Sequence, residues 1–107
     1  LSVDTVFQPK LPTILVVAAG VQVVPQGTGQ GTTMSFRVFN LSATAQRFGY
    51  GNTAARALAN AVAPTAAPGV QSITMLPNSV ETFEFSTSTF FAADNATGFE
   101  FSPGQGT

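Results

Sequence analysis

The sequence predicts an all-β chain, an antiparallel β-sandwich or barrel of jelly-roll or immunoglobulin-like type, with about seven or eight short strands and an extended N-terminal arm. Three observations predict it. Runs of β-branched and aromatic residues recur at a spacing of about 8 to 12 residues. Clusters of Gly, Pro and Asn divide them. Of the ten Phe residues, several recur on inward positions of the runs, where a period of two places them on one face. A length of 107 residues suits one domain, read as an arm over Leu1–Pro12 and a β domain over residues 13–107.

In the arm, Pro9 and Pro12 deny regular helix and push Leu11 to extended geometry. Leu1, Val3, Val6 and Phe7 make it too apolar to float freely, so it is expected to lie against this domain or a neighbour. Thr13–Val24 (TILVVAAGVQVV) is bounded by Pro12 and Pro25 and rich in β-branched residues, which predicts a strand kinked or bulged at Gly20. Residues 25–33 (PQGTGQGTT) read as a flexible connection to Met34–Asn40, where Met34, Phe36 and Val38 face one way and Ser35, Arg37 and Phe39 the other. Strand, Gly-rich loop and strand together predict a hairpin.

A turn over Asn40–Ala45 leads to a short strand, Gln46–Tyr50, with Phe48 and Tyr50 on one face and Gly49 and Gly51 relaxing the backbone. Asn52–Ala63 has helical propensity, with Asn52 or Thr53 as cap and Pro64 as stop. Leu58 and Val62 are its only large apolar residues, so a helical turn or long loop with little to bury is expected. Strands follow over Val70–Leu76, Val80–Phe85 (Phe83 and Phe85 inward), Thr89–Ala93 and Phe99–Phe101, with turns at Pro77–Asn78 and Asp94–Gly98 and a close at Pro103–Gly104.

Composition narrows function. Charged residues make up 8% of the chain, against about 25% in average proteins. There is no Cys, so no disulfide, thiolate nucleophile or Cys-based zinc site, and no His, the commonest general base and metal ligand. Four Lys and Arg against five Asp and Glu give no phosphate-neutralising patch, so no nucleic-acid partner is expected. The apolar stretch Ile14–Val24 is 11 residues long, short of the ~20 of a spanning helix, so no membrane partner is expected either. Leu1–Lys10 lacks the basic start and apolar run of a secretion signal. Initiator Met is not normally trimmed before Leu, so residues are expected to have preceded Leu1. A surface this poor in charge suits a protein covered by partners, or a neutral domain kept in solution by Thr, Ser, Gln and Asn.

No motif assembles a catalytic site, and neither a cofactor nor a metal is expected. Glu81 and Glu84, three apart on a strand, point to opposite faces and cannot flank one substrate bond. Asp94 and Asn95 read as turn-stabilising residues rather than calcium ligands, because the alternating carboxylate loop is absent. Gly27-x-Gly29-x-Gly31 lacks the Lys-Ser/Thr of a phosphate loop and leads into a strand. Asn40-Leu41-Ser42 and Asn95-Ala96-Thr97 match the glycosylation acceptor, a pattern common by chance. Arg37, Arg47 and Arg56 are isolated. Arg37 beside Phe39 on an outward face has the composition of an interface anchor; the plainer reading is a solvated Arg with its stem on the sheet.

Two segments carry a resemblance. FRVFNLSATAQRFGYG is an aromatic strand, an Asn turn and a strand ending F-G-x-G. LPNSVETFEF followed by FFAADNATGFEFSPGQGT has the form L-P-x-S-V-E-x-F, an aromatic strand, then S-P-G-x-G. Over about half the chain this resembles small β-rich virion proteins encoded beside capsid genes in tailed bacteriophages, some of which decorate or cement the head. The resemblance implies a non-enzymatic structural role at the capsid surface. Its partners would be the major capsid protein and further copies of the chain as a homo-oligomer, with a trimer as one form. On this reading the arm residues Val3, Val6 and Phe7 and the strand residues Arg37 and Phe39 are the expected protein contacts. A receptor- or carbohydrate-binding module of a tail, fibre or adhesin is the alternative; it needs an exposed aromatic platform, for which the sequence offers Tyr50 and no Trp. A pilus-like fibre subunit, its arm completing a neighbour's sheet, is a third reading.

Overall fold

The computed structural model describes residues 6–18, 20–22 and 33–106. Two antiparallel sheets pack face to face. The strands are β1 (Gln8–Pro9), β2 (Ile14–Val16), β3 (Val21–Gln22), β4 (Thr33–Asn40), β5 (Gln46–Gly51), β6 (Ser72–Met75), β7 (Val80–Ser86), β8 (Phe90–Ala93) and β9 (Phe99–Gln105), with one helix, α1 (Ala54–Asn60), between β5 and β6. One sheet runs β9-β4-β7, with β1 and β2 lying end to end along the outer side of β9; the other runs β3-β8-β5-β6. Each is therefore four strands wide.

The pairings nest. β2 pairs with β9, β3 with β8, β4 with β7 and β5 with β6, each antiparallel. A long hairpin folded back on itself and rolled into two sheets has this order, and it is the topology of a jelly roll. The all-β sandwich read from the strand spacing is the fold observed.

Alternation sets what the sandwich buries. Met34, Phe36 and Val38 of β4 and Phe99 and Phe101 of β9 face Phe48, Met75 and Phe91 of the other sheet. Phe36, Phe48, Phe91, Phe99 and Phe101 are fully buried. Phe48 is the hub: five rings surround it at centroid distances of 5.0 to 6.3 Å, all edge-on. Edge-to-face pairs add about 0.5–1.5 kcal/mol each beyond the area they bury. Phe83 and Phe85 of the edge strand β7 are half-buried against this core.

Two sequence expectations fail, for one reason. Thr13–Val24 is not a single kinked strand: β2, ending at Val16, belongs to the first sheet and β3, starting at Val21, to the second. Consequently β3 and β4 form no hairpin, since β3 pairs with β8 while β4 pairs with β7 and β9. Local pattern reports strand propensity but not which sheet a strand joins. The Gly27–Gly31 run lies outside the described residues.

Pro103–Gly104 lies within β9 rather than closing the chain. Pro103 is opposite Phe36 on β4, and its carbonyl faces the arm, accepting from Lys10 N at 3.0 Å. Its missing N–H therefore also faces the arm, which is why the arm's pairing breaks between β1 and β2.

Candidate interaction surfaces

Each sheet has one face in the core and one outside. On the outer face of the β9-β4-β7 sheet, cross-strand register aligns Leu15, Glu100, Phe39 and Val80 in one row. Leu15 and Val80 are each 51% exposed and Phe39 is half-buried. The next row holds Ser102, Arg37 and Thr82, with Ser102 Oγ 2.9 Å from Thr13 Oγ1. Beyond it lie Gly104, Ser35 and Glu84. Glu81 and Glu84 sit opposite Val38 and Ser35, hence on opposite faces of β7.

The arm is laid over the far end of this face. Phe7 is buried, with the Arg37 guanidinium carbon 5.1 Å from its ring centre. Gly104 makes the seat, because a Cβ there would come within 2.8 Å of Phe7 Cζ and would also strike the Gln8 carbonyl. Of the residues proposed as contacts, Phe7 and Arg37 are thus turned on each other, Phe39 lies in the row with Leu15, Glu100 and Val80, and Val6 is 74% exposed. Val3 lies outside the described residues.

The outer face of the second sheet carries α1. Thr53 Oγ1 caps it, accepting from Arg56 N at 3.1 Å. As expected, this segment buries little, and what it buries is small. Ala57 and Ala61 pack on Ala92, with Val21 and Phe90 alongside, while Leu58 and Val62 face outward at 47% and 44% exposure. The close approach depends on glycine: a Cβ on Gly49 would lie 2.7 Å from the Ala57 carbonyl, and one on Gly51 2.8 Å from Arg56 Cβ. The signal was present in the sequence as small residues on both partners, Gly49-x-Gly51 and Ala57-x-x-x-Ala61, but an apolar pattern built on large residues does not register it.

Polar side chains tie the loops at the end away from the helix. Asn40, fully buried, donates through Nδ2 to the carbonyls of Thr44, Met75 and Leu76 and accepts at Oδ1 from Ser42 N and Gln46 Nε2. Gln46 Nε2 also reaches the Gly98 carbonyl at 2.7 Å. Three loops are thereby held by two amides, and the Asn40 acceptor pattern is spent inside the fold. Arg47 is not isolated: its Nη1 pairs with Asp94 Oδ2 at 2.9 Å, and its backbone N donates to Asp94 Oδ1. Asn95 Oδ1 accepts from Thr97 N at 2.8 Å, a turn-stabilising role.

Among the described residues no group of three or more His, Cys, Asp or Glu is placed to hold a metal ion, and no helix is long and apolar enough to cross a membrane. Comparison with known proteins finds no family model that matches the chain, no similar curated protein and no similar solved structure.

Proposed function

We propose that this chain is a non-enzymatic structural subunit of a bacteriophage virion, a decoration or cement protein that lies on the head shell and bridges its neighbouring subunits. The observation that carries the reading is the row Leu15, Phe39 and Val80, with Glu100 between the first two, left uncovered on the outer face of the β9-β4-β7 sheet of a charge-poor chain. The jelly-roll topology, shared with many capsid and lectin domains, and the sequence resemblance over residues 35–51 and 75–107 support the same reading.

The size of the surface suits a lattice. Full burial of a Leu or Val is worth about 1.5–3 kcal/mol. Leu15 and Val80 are half exposed, so covering both contributes about 1.5–3 kcal/mol. Alone, that falls short of even millimolar affinity. Repeated across adjacent copies on a shell, or combined with arm contacts at Val6, weak contacts become stable occupancy through effective concentration.

The test is co-sedimentation with shells purified from the phage that encodes the chain, with mass spectrometry of the intact particle. The wild-type chain is expected in the particle at a fixed ratio to the major capsid protein. Leu15→Glu with Val80→Glu is expected to fold normally and to lose at least about tenfold in occupancy. Absence from the particle, or full occupancy by the double variant, refutes the proposal.

A further inference from the structure

We propose that a trough at the helix-bearing end of the sandwich is a binding site for an acidic glycan, a saccharide that carries a carboxylate. Two adjoining hollows, of about 370 and about 300 Å³, share Arg56 and Gln71 in their walls. Tyr50, Asn52 and Thr89 line one of them, and Pro68 and Val70 the other.

The scaffold of the trough is fixed, while the side chains that line it are unspent. Tyr50 N donates to the Gln71 carbonyl at 3.0 Å, Asn60 Nδ2 donates to the Tyr50 carbonyl at 2.9 Å, and Thr89 N closes a turn on the Ser86 carbonyl. In contrast, among the described residues no hydrogen bond engages the side chains of Tyr50, Asn52, Arg56, Gln71 or Thr89. Of the three arginines, Arg47 is paired with Asp94 and Arg37 lies over Phe7. Arg56 has neither kind of partner among the described residues, and it stands where the two hollows meet.

The chemistry of the lining selects the ligand. A guanidinium presents a planar fork that matches a carboxylate. The amides of Asn52 and Gln71 each offer donors and an acceptor, and the hydroxyls of Thr89 and Tyr50 offer both, which suits adjacent sugar hydroxyls. Pro68 and Val70 provide small apolar surface for the C–H face of a ring. An extended acidic peptide would instead call for a row of backbone partners, and the polar groups here are side-chain amides and hydroxyls. The inference does not rest on the virion reading, because it concerns different residues.

The experiment is a titration of the full, ¹⁵N-labelled chain by two-dimensional NMR with three probes. These are a tetrasaccharide alternating glucuronate and N-acetylglucosamine, the neutral N-acetylglucosamine tetrasaccharide, and tetraglutamate. The acidic tetrasaccharide is expected to shift the amides of Asn52, Arg56, Gln71 and Thr89, with binding that weakens as salt rises. Arg56→Gln and Gln71→Ala alter exposed side chains and keep the fold. Arg56→Gln is expected to weaken binding at least about tenfold, the loss of one charge-assisted contact, while Leu15→Glu leaves it unchanged. Shifts elsewhere or none at all, equal binding of the neutral tetrasaccharide, or an unaffected Arg56→Gln overturns the site. Equal or tighter binding of tetraglutamate overturns the saccharide assignment.

Discussion

Replacing Asn40 with alanine removes five polar contacts in one step: the two Nδ2 hydrogens shared among the carbonyls of Thr44, Met75 and Leu76, and two bonds accepted from Ser42 N and Gln46. A net contribution of about 1 kcal/mol for each of two donated hydrogens and two accepted bonds sets an upper figure of about 4 kcal/mol. The Thr44 and Leu76 carbonyls are only partly shielded and regain water, which puts the expected cost at about 3–4 kcal/mol. A domain of this size has about 5–15 kcal/mol in total, so one side chain holds at least about a fifth of it. The assay is urea unfolding followed by far-ultraviolet circular dichroism, since the chain has no Trp. With an m-value of about 1.5 kcal/mol/M, the midpoint falls by about 2–3 M. Asn40→Asp is the sharper control. It retains the acceptor but turns oxygen toward three carbonyls, and is expected to cost at least as much as alanine. Asn95→Ala, which loses one exposed turn bond, costs less than about 1 kcal/mol. An Asn40→Ala variant within about 1 kcal/mol of wild type refutes the idea that these amides hold the loop end together.

Gly49→Ala places a methyl against the backbone of α1 and is expected to cost about 1–3 kcal/mol, with amide hydrogen exchange over residues 54–61 accelerating well before that of β4 and β9. Phe7→Ala empties the seat on Gly104 and frees Arg37; trypsin is expected to cut after Lys10 at least about tenfold faster, as the loss of about 1.5–3 kcal/mol of burial implies, and an unchanged rate would show that the arm is held by its backbone pairing alone. Asp94→Asn leaves the Arg47 guanidinium without its anion at side-chain exposures of 30% and 17%; a loss of about 1 kcal/mol, shrinking as salt is raised, is expected in the same unfolding assay.

Strand positions were legible because alternation is a local property. Met34–Asn40 and Val80–Phe85 state their inward faces directly, and every Phe expected inward on them packs on the core. Sheet membership was not legible. The stretch Thr13–Val24 holds two strands of different sheets, and nothing in an unbroken apolar run marks the crossing except Gly20. The helix was half legible: its Thr53 cap and its alanines were readable, but its partner surface consists of two glycines on a strand. Phe39 and Arg37 were correctly read as outward, yet the row joining Phe39 to Leu15 and Val80 exists only once four strands are in register. The Arg56 trough draws on β5, α1, the segment before β6 and the turn before β8, positions too far apart in sequence to form a motif.

The nested pairing has a consequence for how the chain is made. β9 follows every other strand of this sandwich in sequence, yet it sits inside its sheet, between the arm and β4. Until residues 99–105 leave the ribosome, Phe36 and Val38 lack one neighbour and β2 has nothing to pair with. The pairing of β9 with β2 and with β4 joins segments far apart in sequence, a long-range and intrinsically slow step. A stop codon before Phe99 would cost the protein the middle of a sheet rather than a frayed edge, and the unfinished chain would show its aromatic interior to every other copy emerging from the same message.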